Sequence, residues 1–422
     1  MAPIILLPPA LFHSSYKHGL SQKPFMASQH NPRGRRNNSD FTMLRQNTHP
    51  DTNCTFSKNR SQPETTKPSL KQFTHHKSQS LTKLNSHAST NESSQVPMRR
   101  SRSQQPKPRN EFAAILNKTH KTERDVRTSL TKLRGLILTE GLPDEHLPKS
   151  DHSLQANLRS TSVRSRVWKH FLGVYHISAK EYIRLIKKGK SAVYNKVKND
   201  TFRTCTTNKT FKERVNDDML SRVLNAFTWK MHLSGNDNIT YVQGMNVLVA
   251  PFLFTMSEID AFFSFATFIE MCCPLYVNST VQGVHCGLEL LDQCLEIVEP
   301  TLFSHLKSKN LSAKIYALPS VLTFCACTPP LEEVLKLWDF LFAYGVHLNI
   351  LCVIAQLILM KDELLQSQSP MKLLRTMPDL KAKPVIDLTV ELVHKIPDDL
   401  YDRLVRHPFD AEVAASILRG EE

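Results

Sequence analysis

The chain has 422 residues and a formal net charge of +15, but residues 1–110 hold 17 Lys+Arg against 4 Asp+Glu, and the rest hold 37 against 35. The excess charge therefore belongs to a tail and says nothing about a folded part. Nine Cys with no C-x-x-C pair give no zinc, redox or disulfide pattern, and no apolar run is long enough to span a bilayer.

Residues 1–110 are rich in Ser, Asn, Gln, Thr, His and Lys/Arg and lack hydrophobic periodicity. Such a segment cannot bury enough apolar surface to offset chain entropy, so it reads as a disordered basic leader. Arg36-x-x-Ser39 and Arg100-x-x-Ser103 suit a basophilic kinase. From about Glu111 the pattern turns helical: Val126, Leu130, Leu133 and Ile137 recur at helical spacing, and Gly141 and Pro143 stop the run. A polar stretch from Asp144 to about Ser160 follows. Val163, Val167 and Phe171 give the next stripe, ended by Gly173. Ala179–Lys188 and Ala192–Asp200 read as two short helices.

Val215, Met219, Val223, Phe227 and Met231 lie at four-residue steps, with Asn216 or Asp217 as cap and Gly235 as stop. Thr240–Phe254 is almost wholly apolar after Asn246 and reads as a helix buried nearly all round. Ser257-Glu258 opens another. Further helices are expected at about 281–298, 312–326, 331–343, 348–365 and 384–395. Strand signals are weak, and neither a G-x-G-x-x-G nor a G-x-x-x-x-G-K-[ST] loop is present, so the chain does not cradle a nucleotide itself. The fold class is all-α, an irregular array of many short helices.

Asp200 and Arg203 stand three apart, so the carboxylate can hold the guanidinium as a bidentate pair on one helix face. Taken alone, this is better read as an ordinary surface ion pair. Gln243 taken alone suits a capping or core-satisfying role, with Gly244 allowing close backbone approach and Tyr241 packing on the first turn of the helix.

Four blocks occur in order: Val163-Arg164-Ser165-Arg166-Val167-Trp168, Val197-x-x-Asp200-x-x-Arg203-Thr204, Tyr241-Val242-Gln243-Gly244-Met245-Asn246, and Leu335-x-x-Trp338-Asp339. Together they resemble the TBC domain, the all-helical GTPase-activating domain best known for acting on Rab-type GTPases. The resemblance runs from about Gly141 to about Val405, within a unit of residues 111–422. It implies that Arg203 and Gln243 are paired catalytic fingers inserted into a partner's GTPase site, with Asp200 orienting Arg203. It also implies that Arg164 and Asp339 are structural, and Trp168, Trp338 and Tyr241 are taken as core. Val197 stands where the family usually has Ile.

In detail the C-terminal half, Leu318–Cys327 and Tyr344–Asn349, is similar to the fungal mitotic-exit and septation-checkpoint branch of the family. That branch implies a small Ras-like GTPase as partner, a spindle-pole scaffold subunit in a two-component activating complex, and residence in the cytoplasm at the spindle pole body. It implies no cofactor of the chain's own, GTP and Mg being bound by the GTPase, and no nucleic acid or integral membrane segment. A Rab activator of membrane traffic and a GTPase-recruiting module without turnover share the same residues.

Overall fold

The computed structural model describes residues 108–118, 122–143, 162–236 and 238–420. The expected leader and its kinase-type motifs lie outside these residues, except that the first helix already opens at Pro108. The polar stretch from Asp144 to Ser160 lies outside them too.

The chain opens with α1 (Pro108–Leu116), α2 (Glu123–Glu140), α3 (Val163–Leu172) and α4 (Ala179–Ile186). Local chemistry sets their ends. Thr122 and Asp125 form a reciprocal capping box at the start of α2, and Gly141 closes it. Ser162 and Ser178 cap α3 and α4 through their hydroxyls. Next come α5 (Tyr194–Thr201), α6 (Lys209–Arg214) and α7 (Asp217–Leu233). The stripe read as starting at Val215 is in fact divided. Asn208 caps the short α6, Val215 is extended at φ −128°, and Asn216 caps α7.

The apolar stretch expected to be helical from Thr240 becomes α8 only at Met245 (Met245–Thr255), because Gly244 adopts φ +106° and breaks the path. Ser257 then caps α9 (Glu258–Thr267), and a π-helical stretch over Phe268–Cys272 and a 3-10 turn at Pro274–Tyr276 lead on to α10 (Gln282–Val298). The segment expected as one helix over 312–326 is α12 (Ala313–Tyr316) and α13 (Leu318–Leu322), preceded by α11 (Pro300–Ser308). Phe324 and Cys325 take positive φ, which no helix accommodates. After α14 (Leu331–Tyr344), the expected 348–365 helix breaks at Met360 into α15 (Asn349–Leu359) and α16 (Lys361–Gln366). The chain then continues through α17 (Pro370–Arg375), α18 (Ala382–Val393), α19 (Asp398–Arg406) and α20 (Ala411–Arg419). Among the described residues the one β-type pairing is an isolated bridge between Ile239 and Asn278.

The core gathers around α8, whose residues from Met245 to Thr255 are almost all buried. Phe252 packs its ring against Trp168, Trp338, Phe268 and Phe342, with centroids 5.5–5.9 Å apart. A smaller cluster of Phe112, Leu133, Ile137, Val163 and Val167 seats α1 and α2 against α3. No helix among the described residues is long and apolar enough to cross a membrane.

His407 sits fully buried at the end of α19, with Nδ1 2.7 Å from the Leu404 carbonyl and Nε2 2.9 Å from the Tyr276 hydroxyl. A neutral ring that donates from Nδ1 and accepts at Nε2 satisfies both contacts. Burial pushes its pKa down from 6.5 to about 4. Between those values the unfolded chain takes up a proton that the folded chain refuses. Stability should therefore fall as pH drops through this window, by up to about 1.4 kcal/mol per pH unit. Asp292, pushed up to about 6 by burial, acts in the opposite sense below that pH. Urea unfolding of the wild type and His407→Asn between pH 7 and 4.5 separates the two: the variant should show a shallower loss of stability on acidification.

Candidate functional site

α5 delivers the first half of the site. Val197 and Thr201 are fully buried where α5 packs against α7, which leaves Asp200 at the rim of the core, 7% exposed. The helix ends one residue later, so Phe202, Arg203 and Thr204 follow in turn conformation. Asp200 Oδ1 accepts a hydrogen bond from Arg203 Nη2, and Oδ2 accepts one from the Tyr241 hydroxyl at 2.7 Å. The expected bidentate pair is therefore not formed. The second carboxylate oxygen is taken by Tyr241, and Arg203 is held at a single nitrogen.

Tyr241 is thus more than core packing. Burial, and then its bond to Asp200, push the phenol pKa up beyond the usual tyrosine range. The hydroxyl stays a donor at any ordinary pH, and both oxygens of Asp200 are engaged.

The second half is the turn before α8. Gly244 at φ +106° lets the chain reverse there, and a Cβ at this position would come within 3.0 Å of Leu322 Cδ2. The left-handed backbone and the close approach of α13 both call for glycine. Gln243, just before it, is exposed, and its side chain has no hydrogen-bond partner among the described residues. It neither caps α8 nor satisfies the core, so both alternatives read from sequence fall away.

Asn246 fastens the halves together. It is 5% exposed, and its Nδ2 donates to the Asp200 carbonyl at 3.3 Å and to Thr204 Oγ1 at 2.9 Å. Its Oδ1 accepts the Gly244 amide at 3.2 Å. One amide thus ties the turn carrying Arg203 to the turn carrying Gln243. Sequence reading placed Asn246 and Thr204 in the motifs but gave them no role. The available signal was an Asn at the second position of an otherwise apolar helix, since a buried amide needs partners.

Arg164 lies outside this network. Its Nε donates to both oxygens of Asp339 at 3.1 Å, and Trp168 Nε1 donates to Asp339 Oδ1 at 2.7 Å. This buried group bolts α3 to α14 and supports the site only through the frame. Of the sequence candidates, the structure brings together Asp200, Arg203, Tyr241 and Gly244, with Gln243 carried on the same turn.

The arrangement presents a half-exposed Arg and an exposed Gln on two turns locked by buried polar bonds, with the large apolar Phe202 60% exposed beside Arg203. It contains no nucleophile–base pair of its own. Its chemistry is that of donors offered to a charge outside the chain.

The family profile described as the Rab-GTPase-TBC domain matches residues 161–365. The chain is 48% identical over 261 residues to Cell division control protein 16 of Schizosaccharomyces pombe, covering 62% of this chain and 85% of that protein. It is 39% identical over 301 residues to Mitotic check point protein BUB2 of Saccharomyces cerevisiae, covering 68% and 94%. Among solved structures it is similar to the Chlamydomonas flagellar RabGAP TBC domain, with a TM-score of 0.48 and 19% identity over 69% of this chain and 98% of that one.

Removing the Tyr241 hydroxyl takes a donor from a buried carboxylate. Tyr241→Phe should cost about 1–3 kcal/mol in denaturant unfolding. It should also speed amide exchange at Arg203 and Thr204. Gly244→Ala should cost about 1–3 kcal/mol through its left-handed backbone alone, before α13 shifts.

Proposed function

The chain belongs to the Rab-GTPase-TBC domain family, and on that premise we propose that it accelerates GTP hydrolysis by a small Ras-like GTPase, with Arg203 and Gln243 supplied in trans. The observation that carries this reading is the contrast within the site. Asp200, Tyr241 and Asn246 spend their polar groups on one another, while Gln243 and most of the Arg203 guanidinium are left open on the surface.

Hydrolysis of GTP builds negative charge on the phosphate oxygens as water attacks the γ-phosphorus and the bond to the β-phosphate oxygen breaks. A guanidinium placed there stabilises that charge, and the free N–H groups of Arg203 suit this task. A side-chain amide accepts a hydrogen bond through its oxygen and donates through its nitrogen. Gln243 can therefore orient the attacking water while touching the partner. GTP and its Mg belong to the GTPase, which completes the turnover, and this chain contributes groups rather than a nucleotide site.

The names of the relatives, a cell division control protein and mitotic check point proteins, support a GTPase that governs mitotic exit or septation. A second, scaffold subunit at the spindle pole body, and a two-component activating complex there and in the cytoplasm, rest on the resemblance of the C-terminal half alone.

Single-turnover GTP hydrolysis tests the reading, with a candidate mitotic-exit GTPase, this chain, and the chain plus candidate scaffold. Arg203→Ala should reduce the stimulated rate about 10³-fold or more. Gln243→Ala should also reduce it while keeping the wild-type melting temperature, whereas Arg203→Ala, which leaves one oxygen of the buried Asp200 without its partner, should lower the melting temperature modestly but stay folded. Full stimulation by either variant would remove that residue from the catalytic role. Stimulation of a Rab panel in place of the candidate would move the partner to membrane traffic.

A further inference from the structure

The second exposed face with unbalanced chemistry is the one that leads into the Arg203 turn. Residues 174–198 contain seven Lys and Arg and a single acid, Glu181. The rest of residues 111–422 is therefore slightly acidic, and although Lys198 pairs with Asp218 at 3.2 Å, the segment is a local concentration of charge. On α4 the basic residues fall in register: Lys180, Arg184 and Lys187 stand at i, i+4 and i+7, with Ile183 between them, all exposed. The opposite face of α4 buries Tyr182 and Leu185, and Tyr182 donates to Glu258 at 2.8 Å. The helix is thus anchored on one side and presents a basic stripe with an apolar centre on the other.

A solvated helix ordinarily balances such a stripe with acids one turn away. Other cations in the fold reach acids on neighbouring helices: Lys169 pairs with Asp260, Arg222 with Glu258 and Lys230 with Glu270. Lys180, Arg184 and Lys187 have no carboxylate within ion-pair distance among the described residues. The two lysines after the helix are held over rings instead, Lys188 5.2 Å from the centre of Trp229 and Lys190 5.2 Å from that of Tyr194. Ile183 is 47% exposed, and Ile177 and Tyr175, just before the helix, are 37% and 70% exposed. Like charges lined up around uncovered apolar side chains match a surface that completes itself with a partner of opposite charge.

We propose that the α4 face is the docking site for an acidic, amphipathic helical segment of a protein partner. Its carboxylates would meet Lys180, Arg184 and Lys187, and its apolar side chains would cover Ile183 and Ile177. The chain's own residues 1–110 are excluded as occupant by their 17 basic against 4 acidic residues. A polyphosphorylated lipid headgroup is disfavoured by the adjoining cleft of about 250 Å³, which is lined by Lys190, Asp218, Arg222 and Asn225. Its Arg222 is already held by both oxygens of Glu258 at 2.7 Å, and Asp218 adds a negative charge. The cleft is near electrical balance and fits a neutral polar side chain better than a polyanion. The face lies just ahead of α5, the helix that carries Asp200, so its occupant sits next in sequence to the Arg203 anchor. The inference does not depend on the catalytic reading of Arg203.

Hydrogen-exchange mass spectrometry on the full chain locates binding, with a probe peptide of about 20 residues bearing Glu on one helix face and Leu on the other. The expected result is slowed exchange in α4 and the following turn, weakening as salt is raised. The triple charge reversal K180E, R184E, K187E should abolish it. Ile183→Ser, which leaves every charge in place, should weaken binding about tenfold or more. Thermal melts of all variants should match the wild type, since every altered side chain is exposed. Milder neutralisation by Lys180→Gln with Lys187→Gln should weaken binding to an intermediate degree. Protection confined to residues 1–110, protection unchanged by charge reversal, or protection by phosphatidylserine vesicles and not by the peptide would each overturn the proposal.

Discussion

A single buried carboxylate holds the candidate site of this molecule in register. Asp200 accepts from Arg203 on one oxygen and from Tyr241 on the other, and its backbone carbonyl accepts from Asn246. Charge-assisted bonds of this kind strengthen when water is excluded, and each partner left without the others would be a costly buried polar group. The three residues come from an α5 end, an irregular strand-like approach and the first turn of α8. Their convergence therefore fixes the relation between segments that have no covalent reason to be near each other.

A second polar lock repeats the scheme on the frame. Asp339 on α14 takes both Arg164 and Trp168 from α3, next to the rings that pack around Phe252. Buried ion pairs are expensive to desolvate, and their worth lies in fixing geometry more than in net stability. Here one lock fixes the scaffold and the other fixes the site, with α8 packed against both. The hydrophobic core supplies the driving force, and these carboxylates choose among its possible registers.

Much of this was legible in the sequence because it depends on periodicity and stop signals. The stripes of α2 and α3 with their stopping glycines, and that of α7 from Met219 on with its Asn216 cap, fell where spacing placed them. Breaks set by tertiary contact did not. Gly244 was noticed for close approach, but nothing local announced that α8 would wait for it, since Tyr241 and Val242 before it are as apolar as Met245 after it. The six-residue α6 and α17 carry too few residues for a period to show, and α11, α19 and α20 bury only a narrow stripe each. At the site, the Asp200–Arg203 spacing gave the contact but not its form. The claim of Tyr241 on the second oxygen comes from 41 residues along the chain, and no local pattern encodes it. The openness of Gln243 was likewise invisible, because a Gln at the head of an apolar helix reads the same whether it caps, fills or projects.

The tether between Asp200 and Arg203 has a consequence for the encounter with a partner. A free arginine side chain samples many rotamers, and fixing them on docking opposes association. Arg203 is already held at one guanidinium nitrogen by the buried Asp200 carboxylate, while about half of its side chain stays exposed. Much of the ordering that binding would demand has thus been completed during folding. A partner that met this guanidinium would find part of its rotamer freedom already lost on folding.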